Sequence, residues 1–154
     1  MNHYQAKTMI FRNLLIVMGL LVLGGCATAP PTQEMSDARQ AIEAAEDAGA
    51  GKHASILLKT AKIALHDARE QLKRHHFYEA RINAERAKSQ ATKARTVSLA
   101  IREASDAIAQ AQAEGKRVAN AKQLLSRAKA EAKDGHADNA IRIVNKLIEG
   151  LGRL

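Results

Sequence analysis

From Glu34 onward, small and apolar residues recur at alternating steps of three and four, with charged residues between them. That is the period of a helix carrying one buried stripe. Five helical segments follow. The first covers about 34–48, with Ala38, Ala41, Ala45 and Ala48 on one face, and Gly49-Ala50-Gly51 ends it. The second covers about 53–74, where Ala54, Leu58, Ala61, Leu65, Ala68 and Leu72 form a heptad seam. His75-His76 breaks the pattern. The third starts near Phe77 and meets no glycine or proline until Gly115. Its ladder is Ala80, Ala84, Ala87, Ala91, Ala94, Ser98, Ile101, Ser105 and Ile108, and a kink near Ser98 is an alternative to one unbroken helix. The fourth, about 117–133, places Val118, Ala121, Leu125, Ala128 and Ala132 in register, before an Asp134-Gly135 turn. The fifth, about 137–150, carries Ala137, Ala140, Val144, Leu147 and Leu151.

Breaks of two to five residues make neighbouring helices antiparallel, and small seam residues let them approach closely. The expected fold is all-α: an elongated bundle of antiparallel helical hairpins with alanine-rich heptad seams, tetratricopeptide-like or coiled-coil-like. Composition agrees. Beyond Cys26 the only aromatics are Phe77 and Tyr78, and there is no tryptophan. A body packed on alanine buries little area per residue, which argues against a deep catalytic cavity.

The first 25 residues follow a different rule. Lys7 and Arg12 precede an apolar run, Leu14 to Leu23, and no acidic residue occurs among them. A basic start and a short apolar stretch are the layout of a secretory signal. The run is short of the roughly 20 apolar residues that a membrane span needs. Leu23-Gly24-Gly25-Cys26 resembles the bacterial lipobox. That resemblance implies cleavage between Gly25 and Cys26, and acylation of the cysteine, after which two or more acyl chains anchor a protein stably. The alternatives are a plain cleaved signal or an uncleaved anchor. Ala27-Thr28 after the cysteine, with no aspartate, implies the outer membrane and its periplasmic face. Residues 26–33, with Pro30-Pro31, read as a semi-rigid tether, and 34–154 as the helical domain. A single cysteine that is acylated leaves no disulfide. Removing Lys7 and Arg12 lowers the net charge from +8 to +6.

A weak internal repeat runs through the domain. Ser36-Asp37-Ala38 matches Ser105-Asp106-Ala107, and Leu57-Leu58 matches Leu124-Leu125. The turn at 75–80 matches 135–140, with alanine at the same place. Residues 101–154 then read as a degenerate second copy; the alternative is that alanine-rich helices align at many offsets. Several stretches also resemble the bacterial lipoprotein family of the domain of unknown function 4398. They are Ala38-Arg39-Gln40-Ala41-Ile42, Ala48-Gly49-Ala50, Leu65 to Leu72, Phe77-Tyr78-Glu79-Ala80-Arg81 and the ladder from Ala84 to Ala94. The resemblance covers about 30–100. Gly51-Lys52-His53 and His75-His76 depart from it. It implies a cell-envelope lipoprotein without a known activity; the peptidoglycan-binding domain that some relatives carry further along is not expected before Leu154.

Candidate chemistry is sparse. A zinc site needs ligands converging at about 2.1 Å, whereas adjacent helical residues such as His75 and His76 would diverge by about 100°. Neither has a histidine partner at i+4, so no metal and no cofactor is expected. The serines lack a nucleophile-elbow sequence, and no glycine-rich phosphate loop occurs, so an enzyme is not expected. Lys73 and Arg74, with His75, His76, Lys88, Lys93 and Arg95, form a candidate basic strip; its bland reading is a solvated helix face. Phe77 and Tyr78 are either a partner contact or a pin for the helix turn. Nucleic acid is not expected, for want of stacking aromatics.

Three roles remain. One is a non-catalytic structural or adaptor lipoprotein that contacts a periplasmic protein. Another is a charge-based binder of anionic envelope polymer or lipid, such as peptidoglycan or lipopolysaccharide. The third is a self-associating rod, a homo-oligomer. All three expect a membrane anchor at Cys26. Cys26→Ala should therefore move the protein out of the membrane fraction, and persistence in that fraction would refute the lipobox.

Overall fold

The computed structural model describes residues 29–152, so Gly25 and Cys26 lie outside the described residues. Six helices follow in order: α1 (Thr32–Asp47), α2 (Ala50–His53), α3 (Ser55–Lys73), α4 (Phe77–Ala113), α5 (Ala119–Lys133) and α6 (Ala137–Gly152). No strand occurs among the described residues, and the fold is all-α. Five of the helices fall on the segments that the three-four spacing predicts. The short α2 does not.

Ion pairs fix the directions. Glu34 of α1 pairs with Arg81 of α4, and Asp37 with Lys88, so residue numbers rise together and the two helices are parallel. Helix α3 meets α4 through the tight turn at 74–76 and packs along it, so it is antiparallel to both α4 and α1, and Glu46 of α1 pairs with its Lys62. Helices α1, α3 and the first half of α4 thus make an up-down-up unit. Because α3 has 19 residues and folds back along α4 from the turn at 74–76, it covers α4 only to about residue 95. The rest of α4 packs against α6 and α5, a second up-down-up unit. Helix α4 belongs to both. Its 37 residues span about 56 Å at 1.5 Å each. It runs unbroken through Ser98, whose hydroxyl donates to the Ala94 carbonyl at 2.8 Å and is thereby satisfied in the core.

The stripe on α4 changes where its partners change. Over the first unit the buried positions are Ala80, Ala84, Ala87, Ala91 and Ala94, all with no exposed surface. Over the second they are Val97, Ile101, Ala104, Ile108 and Ala111, with Ser98 also buried, next to Val97. The steps Ala91–Ala94–Val97 are two threes in succession, which rotates the stripe. Ala104 is consequently buried in place of the expected Ser105, which is half-buried. A similar rotation occurs on α1. Met35, Ala38, Ile42 and Ala45 face the core, while Ala41 is half-buried; turning Met35 and Ile42 inward removes more apolar surface than alanine would. Helix α3 buries a broad face that includes both Leu57-Leu58 and Ala64-Leu65, because it packs on α1 and α4 at once.

Three helix ends share one closure. After α3, the His75 N–H bonds the Leu72 carbonyl and the His76 N–H bonds that of Gln71, both at 3.0 Å. The same pair of bonds recurs at Gly115-Lys116 and at Gly135-His136. Each places one residue in the left-handed region, with φ of 59° at His75, 76° at Gly115 and 86° at Gly135. Histidine holds that conformation at a cost that glycine avoids.

The buried alanine ladder gives a direct test. Ala87→Glu places a carboxylate where no surface is exposed. It should lower stability by about 3 kcal/mol or more, visible as a large drop in thermal midpoint. An unchanged midpoint would show that this face is not packed.

Candidate functional site

The chain enters the described structure beside the start of α4. Pro31 is fully buried, and the Met35 N–H bonds its carbonyl at 3.0 Å. The guanidinium of Arg81 bridges this region: Nη2 donates to the Ala29 carbonyl at 3.4 Å, and Nε lies 2.7 Å from Glu34 Oε1 with its N–H turned off the hydrogen-bonding line. One turn further along α1 and two along α4, Lys88 Nζ donates to Asp37 Oδ2 at 2.8 Å, and Gln33 donates to Oδ1 at 2.6 Å. These bonds, the lysine's first, hold the Asp37 carboxyl below its ordinary range. Helix α1 starts at Thr32, and the bonded Ala29 carbonyl and the buried Pro31 lead the chain into it.

The α3–α4 turn sits at this same end, one helical turn before Arg81. It carries all four of the proposed contact residues. Lys73 and Arg74 are exposed, and Lys73 Nζ bonds Glu70 Oε1 at 2.7 Å. Phe77 is half-buried and meets the His75 ring edge-on, with centroids 5.8 Å apart, so it pins the turn. Tyr78 is 65% exposed. His76 Nδ1 lies 3.0 Å from Gln71 Oε1. The equivalent turn between α5 and α6 repeats this contact, with His136 Nδ1 3.1 Å from Glu131 Oε2. Asn139 also donates to that oxygen, and the two bonds hold the Glu131 carboxyl low, Asn139 first.

The basic strip suggested by the sequence is not continuous. Lys88 is taken up by Asp37. Lys93 lies sixteen residues beyond Phe77, about 24 Å along α4, and lines a hollow with Leu57, Gln90 and the Gly135–Asn139 turn.

A different basic cluster joins residues far apart in the sequence. Helix α2 is a single turn set by Gly49, whose φ of 83° ends α1 and whose carbonyl accepts from the N–H groups of Lys52 and His53 at 3.0 and 3.2 Å. Ala50 and Ala54 have no exposed surface, so the turn is fixed on the core. Lys52 and His53 are thereby held against α5, where with Ser126, Lys129, Ala130 and Lys133 they line a cleft of about 340 Å³. No ion pair joins these three lysines to a carboxylate among the described residues. Partial burial, followed by the charges of Lys52, Lys129 and Lys133, pushes the His53 imidazole below its ordinary value.

Among the described residues no group of three or more His, Cys, Asp or Glu side chains is disposed to hold a metal ion. No helix among them is long and apolar enough to cross a membrane.

Residues 33–101 match the model of a family described as Domain of unknown function (DUF4398). The matched stretch takes in α1, α2, α3 and the part of α4 that they cover, so it is the first three-helix unit that is similar to this domain. No curated protein matches the chain, and no solved structure does.

A histidine whose folded value is depressed binds fewer protons folded than unfolded. Its contribution to stability is complete above about pH 6.5, the unfolded value, and falls as acid protonates the unfolded chain first. Stability should therefore decline as the pH drops below about 6.5, and less steeply in His53→Gln. Thermal midpoints across that range check this; identical slopes in the two proteins would show that His53 does not contribute.

Proposed function

We propose that this is a cell-envelope lipoprotein, acylated at Cys26 and held at the periplasmic face of the outer membrane, whose helical body serves as a non-catalytic scaffold or adaptor. The observation that carries this reading is the position of Ala29 at one end of a continuous α4. Only residues 27 and 28 separate Ala29 from Cys26, a reach of about 10 Å. An acylated cysteine would bring the α1 start and the α3–α4 turn to the bilayer and leave the far end of α4 about 56 Å away.

The two ends would then meet different neighbours. The near end presents Lys73, Arg74 and Tyr78, residue types suited to a headgroup layer, as basic side chains are drawn to anionic lipid and tyrosine to the interface. The far end presents a groove between α5 and α6, lined by Arg117, Asn120, Leu124, Lys146 and Gly150 among others. Its mixed polar and apolar walls suit contact with a periplasmic protein.

Photocrosslinking residues placed one at a time in intact cells test this division. From Asn120 or Lys146 they should capture an envelope protein, and from Tyr78 they should give lipid adducts instead. Identical capture from both ends, or lipid adducts from the α5–α6 end, would refute the orientation and the adaptor role with it.

A further inference from the structure

We propose that the cleft between α2 and α5 is a binding site for a phosphate group, held by Lys52, Lys129 and Lys133 with Ser126 and His53 at its wall. The proposal extends the adaptor reading but does not rest on the lipid anchor, because the cleft is formed wholly by described residues.

Three features of the cleft point to such a ligand. The first is charge without a counter-charge. Three lysines line one hollow and all act on the His53 charge, and no carboxylate among the described residues pairs with any of them. Five other cations are paired with acids, among them Lys62 with Glu46, Lys88 with Asp37 and Arg81 with Glu34. Gathering three like charges costs free energy unless an anion offsets them.

The second is construction. Lys52 and His53 come from α2, a turn fixed by the left-handed Gly49 and by two fully buried alanines. Lys129 and Lys133 are one turn apart on α5 and so share a face. Two separately anchored elements from the two units are needed to bring the four together.

The third is donor type. Lysine ammoniums act as point charges with rotatable donors, which suits a phosphate approached from several directions, whereas planar carboxylates favour the arginine fork. Three positive charges also match a dianion better than a monoanion. Ser126 adds a hydroxyl donor. At ordinary pH the depressed His53 stays neutral and can donate or accept. A bound phosphate would reverse the repulsion from the lysines and favour the imidazolium.

The test uses the full chain in neutral detergent at low salt, with inorganic phosphate as probe. The His53 ring resonance is titrated from about pH 5 to about pH 8, with phosphate and with acetate at equal ionic strength. Phosphate should raise the His53 titration midpoint and acetate should not. Binding measured by calorimetry with phosphate should weaken about tenfold in the double variant Lys129→Ala/Lys133→Ala, while Lys73→Ala/Arg74→Ala should bind as the parent does. A second arm offers phosphatidic-acid vesicles to the same proteins. If free phosphate suffices, the site accepts a soluble or polymer-borne phosphate; if only the vesicles bind, and the α5 lysines are required, it reads a lipid phosphate. Either result supports the site. No binding in either arm, an equal response to acetate, or equal losses in the two double variants would overturn it. Because the proteins need not be acylated, failure here is distinct from failure of the Cys26 anchor.

Discussion

Close approach between helices, enforced by alanine at every seam position in the first half of α4, is the constraint on which this molecule depends. A buried methyl contributes little hydrophobic free energy by itself, about 0.8 kcal/mol per carbon. The gain comes from dispersion contacts between backbones brought near one another, and any larger side chain at Ala80, Ala84, Ala87, Ala91 or Ala94 would hold them apart. At the buried positions of α4, larger residues appear only from Val97 onward, where the partners are α5 and α6. The partners of the alanine ladder supply the bulk instead, as Met35 and Ile42 on α1 and Leu57, Leu58 and Leu65 on α3.

Much of this was legible in the sequence, and the failures have physical causes. The seams of α5 and α6 were read position by position, because each packs through one narrow stripe. On α1 the spacing of Ala38, Ala41 and Ala45 was as regular as the true one, and only the competing bulk of Ile42 decides which face turns inward. The change of phase at Ala94–Val97 needs knowledge of where α3 ends against α4, which no local pattern contains. Gly49-Ala50-Gly51 looked like a plain break; the turn of helix there exists because Ala50 and Ala54 both find the core.

The candidate sites divide in the same way. Lys73, Arg74, Phe77 and Tyr78 are contiguous, so the sequence shows them together. It took the structure to separate the pinned Phe77 from the exposed Tyr78 and to put both at the end where Ala29 enters. The cleft of Lys52, Lys129 and Lys133 joins residues from the two halves of the chain. A signal was available in hindsight: Lys129 and Lys133 are four apart with Ser126 on the preceding turn, a basic face without the acid that would ordinarily follow at that spacing.

The unbroken α4 has a mechanical consequence. In many tandem arrangements two units meet through a loop, and their relative angle drifts with it. Here flexing one unit against the other means stretching the hydrogen-bond ladder of a helix, and the second unit also leans on the first where Gly135 faces Ile56, with room for a methyl group only at 3.3 Å. A pull or torque on the α5–α6 end is thus delivered to the α3–α4 turn with little lost to bending, so the molecule behaves as a lever whose two ends report on each other.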